Sequence, residues 1–248
     1  MDDLGTLLLL STGAFLIAGT VKGAVGIGLP TTAIGLMTLA IDPRTAIALI
    51  LVPMIVSNAW QVYRSGEILT AARRYLPFAA ALMAGVWVTV SLTANAPDRV
   101  LFGVLGVAIL IFVAVNATRF APRIPDAFDR PAQIGFGIVA GVMGGLTSVW
   151  APPMAVYLAA RRVPKDEFVR ASGLLIFLGS LPLAFGYLRE GFVTTPLLLL
   201  SLGLLVPTIL GFTLGEALRT RLSEEAFRRV LLGVFFLMGL NLVRRAVF

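Results

Sequence analysis

The sequence predicts an all-α polytopic membrane protein made of two inverted repeats, each with about five transmembrane segments. Three observations favour this fold class. Of the 248 residues, 58% are hydrophobic and only 13% are charged, whereas a soluble domain carries roughly 25% charged residues. Long apolar runs alternate with short loops that contain most of the basic residues. Two glycine-rich breaks occupy matching positions in the two halves, at an offset of 122 residues.

The apolar runs define the segments in order along the chain. Most approach the roughly 20 residues that a helix needs to span a bilayer. The second and seventh runs are shorter and begin at the glycine-rich breaks, so we expect them to be half-helices or re-entrant segments. We expect one transmembrane domain over 1–248, with repeat 1 at 1–118, a linker at 119–130 and repeat 2 at 131–248. The runs lie at 4–22, 24–41, 45–63, 75–93, 99–118, 131–148, 150–160, 168–187, 193–217 and 226–247.

The first break, at 19–30, places Lys22 among four glycines and a proline inside an apolar run. A membrane offers no water to freed backbone groups, so such a break must border protein or a wet cavity. A cation at membrane depth costs at least ~2.5 kcal/mol and is normally paired or used. We therefore predict that Lys22 attracts an anion, helped by backbone N–H groups at the start of the next helix. The alternative is a lysine that snorkels to the cytoplasmic face.

Other candidate binding residues lie in both breaks and in the third run. Glycines expose backbone amides, although small residues also allow helices to pack closely. Prolines suit the first turn of the short helices. Hydroxyl and amide side chains could bind a sulfonate or carboxylate, or could join helices, and the indole could instead be an interfacial anchor. The predicted substrate-binding residues are Lys22, Gly23, Gly26, Gly28, Pro30, Thr31, Ser57, Asn58, Gln61, Gly145, Thr147, Ser148, Trp150 and Pro152.

The absent residue types exclude several functions. The chain has no cysteine and no histidine, which removes thiol chemistry and the commonest ligand of transition metals. No G-x-x-x-x-G-K-[ST] loop for a nucleotide is present, and paired acids are missing from the apolar runs. We therefore predict no enzyme, no catalytic residue, no metal and no cofactor. The expected partners are a small anion and the lipid bilayer, without nucleic acid, and the oligomeric state stays open.

Basic residues in alternate loops predict the topology. The side of the N-terminus holds five, whereas the other side holds fifteen. Because Lys and Arg are in excess in cytoplasmic loops, both termini are predicted to be periplasmic. The five are Arg44, Arg99, Arg189, Arg244 and Arg245. The fifteen are Lys22, Arg64, Arg73, Arg74, Arg119, Arg123, Arg130, Arg161, Arg162, Lys165, Arg170, Arg219, Arg221, Arg228 and Arg229.

The two halves also repeat in detail. Five runs in each half place the halves in opposite orientations, and the basic loops change sides accordingly. The loop at 64–74 has three Arg, whereas its partner near Arg189 has one. The matching pairs are Gly19 with Gly141, Gly23 with Gly145, Pro30 with Pro152, Pro43 with Pro164 and Gly66 with Gly191.

The twin segments 19–30 and 141–153, together with the turn Asp42-Pro43-Arg44-Thr45-Ala46, carry a family resemblance. The sequence resembles the sulfite exporter TauE/SafE family of bacterial membrane permeases over nearly its whole length. The resemblance implies a secondary transporter in the inner membrane that exports sulfite, a sulfonate or another small organic acid. The second break departs from the first, because Ser148 and Trp150 replace glycines. The alternatives are an anion channel and a non-transporting membrane assembly factor.

Overall fold

The computed structural model describes residues 2–118, 123–219 and 224–247. Residues 119–122 of the predicted linker, including Arg119, lie outside the described residues, as does Arg221. The described chain is helical and contains no strand. Its helices are α1 (Asp2–Val25), α2 (Leu29–Met37), α3 (Pro43–Ser65), α4 (Ile68–Arg74), α5 (Leu76–Asn95), α6 (Asp98–Thr118), α7 (Asp129–Thr147), α8 (Ala151–Ala160), α9 (Lys165–Arg189), α10 (Thr195–Gly203), α11 (Leu205–Arg219) and α12 (Glu224–Val247), with a 3-10 turn at Asp126–Phe128.

The described helices confirm an all-α polytopic membrane protein. Within the part of the chain that the structure describes, four stretches are long and apolar enough to cross a bilayer, and the bent pair α4 and α5, at 75°, makes a fifth if it counts as one span. The helix α4 was not expected from the sequence, and the run predicted at 193–217 divides at Leu204 into α10 and α11. The four stretches are Leu8–Val25, Pro43–Ser65, Asp166–Arg189 and Thr195–Leu218.

Local sequence explains where the long helices α3 and α9 begin and end. The side chain of Asp42 accepts a hydrogen bond from the amide of Thr45 at 2.9 Å, which caps the N-terminus of α3. Gly66 ends α3 with a φ of 62°, and Gly191 follows α9 with a φ of 74°. Such positive φ values suit glycine because it has no Cβ. The two glycines matched in the sequence therefore both have a positive φ close to the C-terminal end of a long helix.

Helix pairs from opposite halves form the core of the bundle. The main contacts join α1 to α11, α5 to α7, α6 to α12, and α3 to α9. In the α1–α11 pair the two backbones approach each other closely. A methyl group at Gly19 would lie 2.3 Å from the carbonyl oxygen of Thr208. A methyl group at Gly215 would likewise lie 2.1 Å from the carbonyl oxygen of Thr20. Small residues allow such backbone approach between membrane helices, and this contact holds the end of α1 in place.

Candidate functional site

The first helix break lies at residues 26–28, as the glycines predicted. Gly26 and Gly28 have φ values of 88° and 103°, a conformation that a side chain would strain. The amide of Gly26 closes the last turn of α1 by donating to the carbonyl oxygen of Lys22 at 2.7 Å. Pro30 then lies in the first turn of α2, where its missing N–H costs nothing.

The start of α2 leaves backbone donors unused. The amide N–H groups of Ile27, Gly28, Leu29 and Thr31 donate to no other described residue. The first N–H groups of any helix lack partners within the helix and carry a partial positive charge. The hydroxyl of Thr31 is also fully buried, and no described residue bonds it. The beginning of α2 therefore offers several free donors inside the protein.

Lys22 lies one turn before this break, and its side chain is only 1% exposed. Its ammonium donates to Oδ1 of Asn58 on α3 at 2.6 Å. No ion pair joins it to a carboxylate of the residues that the structure describes. The side chain therefore ends inside the bundle, and its charge has only a neutral partner there.

One turn of α3 contacts both breaks. The amide nitrogen of Asn58 donates to the carbonyl oxygen of Met54 at 2.7 Å, so its oxygen is free to face Lys22. The sulfur of Met54 lies 3.7 Å from Oγ of Ser148 in the second break. Met54 was missed by the sequence analysis, and its position one turn before Asn58 is the signal that could have identified it. Through α3 the structure connects Lys22, Asn58 and Ser148.

The second break, at residues 148–150, is built differently. Ser148 adopts a left-handed conformation with a φ of 59°, and its amide donates to the carbonyl oxygen of Gly144 at 2.7 Å. The hydroxyl of Thr147 accepts a hydrogen bond from the amide of Val149 at 3.2 Å. Pro152 lies in the first turn of α8. The break is present as predicted, but side chains, not glycines, complete it.

The indole of Trp150 fills the space behind the second break. A methyl group at Gly144 would lie 2.1 Å from the indole, so the ring lies directly on this glycine. Gly144 matches Lys22 at the repeat offset. The ring is 1% exposed, and no described residue accepts a hydrogen bond from its Nε1. The second break therefore holds a buried indole N–H that has no partner among the described residues.

Two predicted binding residues of α3 contact other neighbours. Ser57 lines a largely apolar cavity of about 440 Å³ with Trp60, Arg64 and Phe212. Gln61 donates from Nε2 to the carbonyl oxygen of Val169 on α9 at 2.8 Å. The two side chains therefore reach different surroundings, although they are one turn apart in sequence. Their roles in binding stay predictions.

Two predicted glycines have close packing contacts. A methyl group at Gly23 would lie 2.1 Å from the carbonyl oxygen of Phe212 on α11, and one at Gly145 would lie 1.9 Å from Oγ1 of Thr89 on α5. Helix packing by itself therefore explains why both positions are glycine. Their predicted contact with substrate has no further support in the geometry.

The unused groups around the two breaks define the chemistry available there. They include the spare ammonium N–H bonds of Lys22, backbone amides, a hydroxyl and the indole N–H, with no acidic partner among the described residues. Such a set of donors suits an anion. The described residues hold no cluster of acidic or other ligands that could bind a metal ion.

Comparison with known proteins identifies the family. The family model described as "Sulfite exporter TauE/SafE" matches residues 11–242. No curated protein and no solved structure matches the chain. Because the family model covers nearly the whole sequence, the protein belongs to the sulfite exporter TauE/SafE family of membrane transporters for sulfite and related anions.

Proposed function

We propose that the protein is a secondary transporter that exports a small anion, namely sulfite, a sulfonate or another small organic acid. The anion binds beside Lys22, between the start of α2 and the turn of α3 that contains Asn58. The observation that carries this proposal is the buried ammonium, which has a neutral hydrogen-bond partner and no ion pair among the described residues. The family membership supports the anion class.

The energetics of a buried charge support this site. An unpaired ion inside a protein carries a penalty of several kcal/mol even after relaxation. An incoming anion would supply the missing counter-charge and would accept hydrogen bonds from the free amides of α2. A charge-assisted hydrogen bond contributes about 1.5–3 kcal/mol. As long as the lysine is charged, the empty site is therefore costly, and a bound anion offsets that cost.

An inverted repeat accounts for the arrangement of helices. In this proposal α1, α2, α3, α4–α5 and α6 correspond to α7, α8, α9, α10–α11 and α12. Exchanging the two sets turns the α1–α11 contact into the α7–α5 contact and leaves the α3–α9 and α6–α12 contacts unchanged. Inverted repeats with broken helices at their interface are a common architecture of secondary transporters. The halves would be 1–118 and 131–248, within one transmembrane domain.

Transport of anions by the purified protein tests the function. The protein is reconstituted into liposomes, and uptake of sulfite, methanesulfonate and malonate is followed with labelled substrates. A carrier should give saturable uptake and counterflow for at least one of them. Conductance without saturation would favour the channel, and no movement of any anion would favour the assembly factor. Empty liposomes provide the background.

A further inference from the structure

We propose that Lys22 is also the proton-binding group of the transport cycle, so that one proton moves with each anion. The proposal rests on the proposed function, because it requires an anion beside Lys22. The amine nitrogen takes a proton from water on the side where the anion enters. It returns the proton to water on the other side after the anion has left. No other bond changes, and nothing is oxidised or reduced.

The partner of Lys22 suits both protonation states. An amide oxygen accepts a hydrogen bond from an amine and from an ammonium alike, whereas a carboxylate would hold the ammonium charged. Asn58 cannot readily turn its nitrogen towards Lys22, because that nitrogen donates to the carbonyl oxygen of Met54 at 2.7 Å. The 2.6 Å contact between Lys22 and Oδ1 of Asn58 is therefore available with or without the proton.

Glu216 and Arg170, which are charged residues on neighbouring helices, form ion pairs with residues other than Lys22. Helix α2 contains no ionisable residue. Glu216 of α11 pairs with Arg64 of α3 at 3.3 Å, and both side chains are substantially exposed. On α9, Arg170 pairs with Glu67 at 2.5 Å. Among the described residues, no carboxylate pairs with Lys22, and the sequence contains no histidine to replace it as proton carrier.

Burial then couples the proton to the anion. A lone charge in this site is unfavourable, whereas an ammonium beside an anion forms a pair. Protonation therefore raises the affinity for the anion, and by linkage the anion raises the affinity for the proton to the same extent. After the anion has left, the carrier returns to its starting orientation most easily when Lys22 is neutral, because no lone charge is then buried in the site. With a monoanion such as methanesulfonate, the loaded and empty sites are then both electrically neutral.

Anion binding at different pH values tests the coupling. Calorimetry on purified protein uses sulfite and methanesulfonate, each in two buffers that differ in ionisation enthalpy, to count the protons taken up. Methanesulfonate stays ionised throughout, so its pH profile reports the protein alone. Wild-type affinity should fall by up to tenfold per pH unit on the alkaline side, with close to one proton taken up per anion.

The matched variant is Lys22→Arg, because a guanidinium stays charged at every accessible pH. It should bind with a flat pH profile and take up no proton with methanesulfonate. If it binds neither anion, Asn58→Asp gives the second test, because a carboxylate beside Lys22 should keep the lysine protonated. Proton uptake should then approach zero while anion affinity weakens.

The outcomes separate this proposal from the proposed function. Wild-type protein that binds methanesulfonate without taking up a proton would overturn the proton-binding role and leave anion transport standing. The same conclusion follows if Lys22→Arg or Asn58→Asp binds methanesulfonate and takes up as many protons as the wild type. If the wild type binds and moves no anion at all, the proposed function fails first.

Discussion

At the scale of single residues, Lys22 affects stability and binding in opposite directions. Replacing it with Ala removes a buried charge that has only a neutral partner, so the free energy of unfolding should hold or rise. Anion transport should fall about tenfold to hundredfold, because the substrate loses a charge-assisted interaction of about 1.5–3 kcal/mol. Uptake into proteoliposomes at matched protein amounts, with thermal unfolding of the same preparations, measures both effects.

Two further substitutions at the same position are the controls. Lys22→Arg should recover part of the transport, because the charge returns with a wider planar head group. Lys22→Glu should be the least active, since it sets like charge against the anion. Wild-type transport in Lys22→Ala would show that this lysine is not part of the anion site.

The indole of Trp150 gives a second prediction at this scale. Its buried N–H has no partner among the described residues, and an unsatisfied buried donor destabilises a protein by about 1–3 kcal/mol. If the anion accepts this N–H, Trp150→Phe should lower anion affinity roughly tenfold, while without anion the relief of the unsatisfied donor offsets the cavity that the smaller ring leaves. Ligand-dependent thermal shift checks this, since bound anion stabilises the native state in proportion to its affinity. An unchanged shift at equal anion concentration would count against contact with the indole.

At the scale of helices, the α1–α11 contact predicts which glycines set stability. Gly215→Ala places a methyl group 2.1 Å from the carbonyl oxygen of Thr20, so the helices must separate at a cost of about 1–3 kcal/mol. Gly13→Ala on α1 is the matched control, because a methyl group there meets no atom within 4 Å. It should hold or raise stability by about 0.5–1 kcal/mol. Thermal unfolding in detergent compares the two variants, and equal unfolding midpoints for Gly215→Ala and Gly13→Ala would contradict the packing role of Gly215.

The helices also show what sequence alone could predict. The first break was predictable because glycine and proline act locally on the backbone at Gly26, Gly28 and Pro30, and the second because Pro152 stands at the matching position. The division between α10 and α11 was not, since Leu204 lies in a continuous apolar run. The packing contact of Gly23 could not be separated from a binding role, because its neighbour Phe212 lies far along the chain. Local rules therefore located the breaks, whereas tertiary contacts decided what their glycines touch.

The candidate site was predictable to a similar extent. Lys22 and Asn58 were each identified from a polar side chain in an apolar run, but nothing in the sequence paired them across 36 residues. Ser57 is next to Asn58 in the sequence, yet its side chain lines the cavity beside Trp60. Helical spacing limits which residues share a face, but the direction of that face depends on the neighbouring helix.

At the scale of the whole molecule, the proposed inverted repeat predicts opposite sides for equivalent turns. Gly66 and Gly191 both have positive φ values at corresponding helix ends. The sequence near Gly66 carries Arg64, Arg73 and Arg74, whereas Arg189 is the basic residue near Gly191. Because basic loops stay in the cytoplasm, the turn at Gly66 should be cytoplasmic and the turn at Gly191 periplasmic. A parallel repeat would place both on one side.

Reporter fusions decide between these topologies. Alkaline phosphatase, which is active only outside the cytoplasm, is fused after residue 66, after residue 191 or at the C-terminus. Activity should be low in the first fusion and high in the other two, because fifteen basic residues lie on one predicted side and five on the other. A green fluorescent reporter that fluoresces only in the cytoplasm should give the reverse pattern and exclude poor expression as the cause. Equal phosphatase activity after residues 66 and 191 would refute the inverted orientation. The anion site would then have to be explained from Lys22 and its neighbours without a symmetry-related second half.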